Sequence, residues 1–150
     1  MGLKTLISNL NQLKNHVETT LDANIQANLN EFADMERERL KDGIGNDGEP
    51  LEREGAGYYP YTPAYTKYKR SKGGRVDVVD LKLTGSYADQ ISASRTGKHK
   101  ATLYSRDNKD RFLSEQYPKT HGFSPEQKQE VKQMFIPKLL EASKRKITSK

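Results

Sequence analysis

Between Gly2 and Gly43 the chain has no glycine and no proline. Through that stretch Leu3, Leu6, Leu10, Leu13, Val17, Leu21, Ile25, Leu29, Phe32 and Met35 recur at steps of three and four. Such spacing keeps apolar side chains on one stripe and predicts an amphipathic helix over residues 3 to about 41. At ~1.5 Å per residue it would reach about 60 Å, longer than a domain of this size is wide. The helix therefore bends, breaks or projects beyond its own fold. Asn24, Asn28 and Asn30 are poor helix formers and mark the place for a break. Two uses fit the stripe: a core helix packed on a sheet, or a packing arm for neighbouring subunits.

The 150 residues are read as one domain with a modest core. Only 33% of residues are hydrophobic, 31% are charged, and the mean hydropathy is −0.96. That suits a chain with exposed arms, or one that completes its burial against partners. A net charge of +6 favours acidic partners, nucleic acid included. The absence of cysteine excludes disulfides and thiolate metal sites. No apolar run approaches a membrane span, and the first residues carry neither a signal-peptide core nor a myristoylation motif. The expectation is a soluble, intracellularly made protein with no membrane role.

Residues 43–63 read as a long loop, with Gly43, Gly45, Gly48, Gly55 and Gly57 beside Pro50, Pro60 and Pro63. Its first half is acidic, with Asp47, Glu49, Glu52 and Glu54 against Arg53. An aromatic and basic strip follows: Tyr58, Tyr59, Tyr61, Tyr65 and Tyr68, then Lys67, Lys69, Arg70, Lys72 and Arg75. Thr62 as cap and Pro63 at the first position predict a short helix to about Ser71, ended by Gly73-Gly74. From Val76 to Leu83 the alternation of Val79, Leu81 and Leu83 with Asp80 and Lys82 predicts a strand. Gly85 ends it, and Ser86 with Asp89 three residues on predicts a capped helical turn carrying Tyr87 and Ile91.

A hairpin follows, from Ile91–Ser94 and Lys100–Tyr104 with its turn at Arg95 to Lys98. A short helix should start at a cap on Asp107 and stop at Pro118, anchored by Phe112, Leu113 and Tyr117. The closing helix has Ser124 as cap, Pro125 at its first position and Gln127 completing a capping box. Phe123 is placed to staple onto the Lys128 stem, and Val131, Met134, Phe135, Leu139, Leu140 and Ile147 line one face. Pro137 should kink or split that helix.

The fold class expected is α+β: a long N-terminal helix and a C-terminal helix flank a small, mostly antiparallel sheet with a long glycine- and tyrosine-rich loop. Residues 1–42 form the helical arm, 43–75 the loop with its short helix, 76–105 the β core and 106–150 the helical C-terminal part.

The stretch Leu83-Thr84-Gly85 to Ile91, with this order of elements, resembles tailed-phage neck and tail-completion proteins, the small virion morphogenesis proteins of the head–tail connector. In that family a strand ending in Leu-Thr-Gly is followed by a short helix and a hairpin, between a long first helix and a closing one. The family often has Arg after the glycine and Ser before the isoleucine, where this chain has Ser86 and Gln90. The resemblance implies a virion location and a homo-oligomeric ring, a hexamer or dodecamer, around the DNA channel. It also implies contacts to other neck, portal or tail proteins, with packaged DNA nearby. Adaptor, stopper and tail terminator are not separated by any residue type here.

Chemistry-bearing patterns are missing. His16, His99 and His121 lack zinc-ligand spacing. A calcium loop around Asp47 fails in register, because its first and third positions would be Gly43 and Gly45. No Walker loop or nucleophile elbow is present. No catalytic residue, metal ligand or cofactor is expected, and the chain is read as a non-enzyme. The expected contact residues are Asp47, Glu49, Glu52, Glu54, Tyr58, Tyr59, Tyr61, Tyr65, Lys67, Lys69 and Arg70, with opposite-charge strips registering a head-to-tail contact. The alternative is a nucleic-acid-binding module in which those tyrosines stack on bases and Lys67, Lys69 and Arg70 meet phosphates.

Overall fold

The amide side chain of Asn28 ends the first helix. In the computed structural model, which describes residues 2–55, 61–82 and 86–148, Asn28 Nδ2 donates to Asn24 O at 2.6 Å, and Asn28 leaves helical geometry at φ −110°, ψ 14°. Side-chain amides that bond the preceding turn offer the backbone an alternative to the helix ladder. The long segment is thus two helices, α1 (Leu3–Ala27) and α2 (Leu29–Lys41). After them come α3 (Pro63–Ser71), α4 (Ser86–Asp89), β1 (Ile91–Gly97), β2 (Lys100–Ser105), α5 (Asp110–Gln116) and α6 (Pro125–Thr148). The class is α+β, with the long N- and C-terminal helices packed together beside a two-stranded antiparallel sheet.

α2 is central because it carries apolar residues on two sides. On one, Phe32 and Met35 join Ile25 of α1 and Phe135 of α6. The Phe32 ring meets Phe123 edge-on at 5.3 Å and Phe135 at 6.0 Å. On the other, Ala33 and Leu40 meet Leu51, Tyr61, Val79, Tyr87, Ile91 and Tyr117. Ala93 of β1 touches both clusters. The hairpin pairs Ile91 with Ser105 and Ala93 with Leu103, and its register shifts between Arg95 and Gly97. Its turn falls at Lys98-His99, two residues later than the glycine pattern suggested, with His99 at φ +58°. Asp22 of α1 holds this turn by accepting from His99 N at 2.8 Å and pairing with Arg95 at 2.7 Å.

The start of α6 follows the sequence closely. Ser124 N donates to Gln127 Oε1 at 3.1 Å, and Gln127 N donates to Ser124 Oγ at 3.3 Å. Two helix-end donors are satisfied reciprocally, as a capping box requires. Phe123 packs on Phe32. Pro137 does not split α6, and Leu140 and Ile147 are exposed. α3 has the expected Thr62 cap, whose Oγ1 accepts from Tyr65 N at 3.3 Å.

The strand expected from Val76 to Leu83 is absent over its described residues, 76–82. Val79 and its neighbour Asp80 are both buried, which a strand with opposite-facing neighbours does not allow on a one-sided sheet. Asp80 is drawn inward by Lys69, and Leu81 takes a left-handed φ of +49°. Leu83, Thr84 and Gly85 lie outside the described residues. Ser86 opens α4 as its first residue, and its Oγ donates to Asp107 Oδ2 at 3.1 Å. Asp107 sits one turn before α5, accepting from Lys109 N at 2.9 Å, so the helix starts at Asp110. Phe112, expected as an anchor of this helix, is 60% exposed.

Candidate interaction surface

The acidic half of the long loop is pinned down. Gly45 N donates to Glu49 O and Leu51 N to Gly43 O, both at 2.7 Å, and Leu51 is fully buried. Gly43 must be glycine: its φ is +73° and a Cβ there would meet Val78 Cβ at 2.7 Å. Asp47 is tied up by Lys119, whose hydrogen bond holds the Asp47 carboxyl below its ordinary value. Glu49, Glu52 and Glu54 are exposed.

The aromatic and basic strip divides. Tyr65, Lys67 and Arg70 are exposed. Tyr58 and Tyr59 lie outside the described residues. Tyr61 and Lys69 are corrected from contact residues to interior ones, at 8% and 0% exposure. Lys69 Nζ donates to Asp80 Oδ1 and to Tyr61 Oη, the latter at 2.6 Å. Tyr61 Oη donates to Asp80 Oδ1 at 3.2 Å and accepts from Asp80 N at 3.2 Å. Burial first, and then the Asp80 charge, push the Tyr61 hydroxyl up, so it stays a donor. Gly74 lets the chain cross the Lys69 stem, where an added Cβ would sit 2.7 Å from Lys69 Cγ. A buried ammonium is tolerated because charge and hydrogen bonds replace its water.

A second buried polar group was not anticipated. Glu36, 0% exposed, accepts from Gly122 N at 3.0 Å and faces His121 Nδ1 at 2.5 Å. The other ring nitrogen of His121 faces Asp110 Oδ1 at 2.7 Å, and Tyr87 Oη donates to the same oxygen at 2.8 Å. Arg39, beside Glu36, donates to Ile44 O and Thr120 O. Burial opposes the charged imidazole, but the hydrogen bond and charge of Glu36, then those of Asp110, outweigh it and raise the His121 pKa above 6.5. Both ring nitrogens are engaged by carboxylates, so the ring has no free lone pair to act as base or nucleophile. It works as a clamp joining α2, α4 and α5 to the chain before α6. A signal was present: Glu36 lies four residues after Phe32 and Arg39 four after Met35, both on the apolar stripe. Among the described residues no group of three or more His, Cys, Asp or Glu is arranged to hold a metal ion, and no helix is long and apolar enough to cross a membrane.

Two surface features remain. The first is the tip of α1. Leu21 and Ile25 join the cluster of Val131, Met134 and Phe135, whereas His16 and Thr20 border a groove with Glu141 and Arg145. The helices are therefore antiparallel, and the first turns of α1 project. Gly2 to Ser8 are all exposed, with Leu3 at 73%, Leu6 at 46% and Ile7 at 51%, and Leu10 beyond them at 56%. The second is a cavity of about 430 Å³ lined by Tyr61, Tyr65, Tyr87, Phe112, Leu113 and Tyr117, with Arg53 and Lys109 among its polar residues. Comparison of the chain with protein-family models, curated proteins and solved structures finds no match.

Proposed function

We propose that this chain is a structural virion protein of a tailed phage, a subunit of a neck, head–tail connector or tail-completion ring. The observation that supports it is the projecting α1 tip. Four large apolar side chains, Leu3, Leu6, Ile7 and Leu10, stand 46% to 73% exposed on about two turns of helix. A helical piece that short is marginal alone, and its apolar face gains stability only when another surface covers it. The resemblance around Leu83 to Ile91 supplies the kind of assembly, and the tip supplies the need for a partner. A copy number of six or twelve belongs to the same proposal. The competing nucleic-acid module is weakened, since Lys69 is committed to Asp80 and only Lys67 and Arg70 of its three cations remain outside.

Sedimentation velocity over a concentration series tests the assembly. The wild-type chain is expected to associate. The variant Leu6→Asp/Ile7→Asp is expected to stay monomeric, with a melting temperature within about 2 °C of wild type, because both side chains are exposed. A wild type that is monomeric throughout, or a variant that associates equally well, would overturn the reading.

A further inference from the structure

We infer that α5 is a pH-released strap: the charged ring of His121 holds its first turn, and loss of the ring proton moves the Tyr87 hydroxyl from Asp110 to His121 and frees that turn. α5 is lightly held. It has seven residues, none of them buried. Leu113 packs on the core from its middle, and its ends are docked by polar contacts. Elements of that kind open locally at low cost. At the C-terminal end Gln116 is tied to the long loop: Glu54 N donates to its carbonyl at 2.8 Å and Arg53 Nε to its Oε1 at 2.6 Å. At the N-terminal end Asp110 Oδ1 accepts from two groups, His121 Nε2 at 2.7 Å and Tyr87 Oη at 2.8 Å. The backbone bond of Asp110 N to Asp107 O, at 3.0 Å, involves neither group and stays.

Geometry decides which ring nitrogen gives up the proton. A charged ring donates from both, Nδ1 to Glu36 Oε1 at 2.5 Å and Nε2 to Asp110. A neutral ring keeps one proton. The Glu36 side chain is 0% exposed, and its other oxygen accepts from Gly122 N at 3.0 Å, so it has no water to turn to. The Asp110 side chain is 24% exposed and can be hydrated. The proton therefore stays on Nδ1, and Nε2 is stripped. Its lone pair then faces the Asp110 carboxylate, two acceptors with no proton between them. Tyr87 Oη already lies 3.3 Å from Nε2. Rotation of its hydroxyl proton satisfies the nitrogen, and Asp110 loses both donors at once. Burial first, and then Asp110, push the Tyr87 hydroxyl far up, so it remains a donor throughout. The charged and titratable groups facing the ring are Glu36 from α2, with Arg39 beside it, Asp110 from α5 and Tyr87 from α4. The ring titrates above its ordinary 6.5, and release follows that value.

NMR of the full chain, titrated from pH 5.5 to 8.5, tests this. The nitrogen resonance of Nε2, and not that of Nδ1, should move to the position of a bare ring nitrogen. With the same midpoint, the amides of Arg111 to Leu113 should shift. Their hydrogen exchange, corrected for its intrinsic pH dependence, should quicken about tenfold, the equivalent of one hydrogen bond to a charged group. The Gly122 amide should stay protected. The variant Asp110→Asn keeps the shape of the side chain. Its amide accepts from the charged ring and, flipped, donates to the neutral one. Its α5 amides should therefore hold at every pH while His121 still titrates. The strap is overturned if Nδ1 loses the proton, if the wild-type α5 amides are indifferent to the titration of the ring, or if α5 of the variant loosens as in wild type. Should the variant not fold, the wild-type titration decides alone.

Discussion

Replacing Lys69 with methionine is expected to destabilise the fold by about 3–5 kcal/mol, a loss of roughly 10 °C in melting temperature. Methionine fills much of the space of the lysine stem, so the packing against Tyr61 and Gly74 largely survives. What is lost is the cation. Asp80, 4% exposed, would then be left as a buried carboxylate with, among the described residues, the Tyr61 hydroxyl and the backbone of Lys82 as donors. Removing one member of a buried pair costs more than the pair contributes, because the other charge stays out of water. The double variant Lys69→Met/Asp80→Asn removes both charges and keeps a side-chain acceptor for Lys82 N. It should recover most of the lost stability in urea titration. If Lys69→Met shifted the midpoint no more than a surface substitution does, Lys69 would not be holding Asp80 inside.

Glu36→Ala is the second large effect, again about 3–5 kcal/mol, and it carries a pH signature. The substitution strands Gly122 N–H, one nitrogen of His121, and Arg39, which already keeps its buried Nε without a partner. In the wild type the groups facing His121 are Glu36 from α2, Asp110 from α5 and Tyr87 from α4. Its folded pKa lies above 6.5, so the folded state binds the proton more tightly than the unfolded state does. The stabilisation is therefore fully present below pH 6.5, and it is lost as pH rises through the folded value. Melting temperatures across pH 5.5 to 8.5 should fall on the alkaline side in wild type. In Glu36→Ala that fall should be smaller and lie at lower pH, since Asp110 alone supports the charge. A wild-type profile that rose through this window would contradict the clamp.

What the sequence made legible was local. The capping box of Ser124 and Gln127, the Thr62–Pro63 start of α3, the break at the asparagines and the antiparallel hairpin each depend on residues within a few positions of one another. What it hid was decided at long range. Val79 to Leu83 alternates like a strand, yet Asp80 faces inward because a lysine 11 residues earlier is buried beneath it. The same contact removed Lys69 and Tyr61 from the expected interface. Nothing in local periodicity marks a lysine as interior when its neighbours Lys67 and Arg70 are exposed. The cluster of Glu36, Asp110 and His121 joins residues up to 85 positions apart, so spacing on the α2 stripe pointed to Glu36 but not to its partners Asp110 and His121. The α1 stripe was plain in the sequence, but it reads alike whether covered by the chain's own core or by another subunit. Only the projection of Leu3 to Leu10 past the packed part of α1 separates the two.

The proposal that this chain is a component of a phage particle stands or falls with quantitative mass spectrometry of purified particles from a phage or prophage whose genome carries this sequence. The protein is expected at a few copies per particle, a small fraction of the major capsid protein. Its absence from intact, infectious particles would rule out a structural role in the virion.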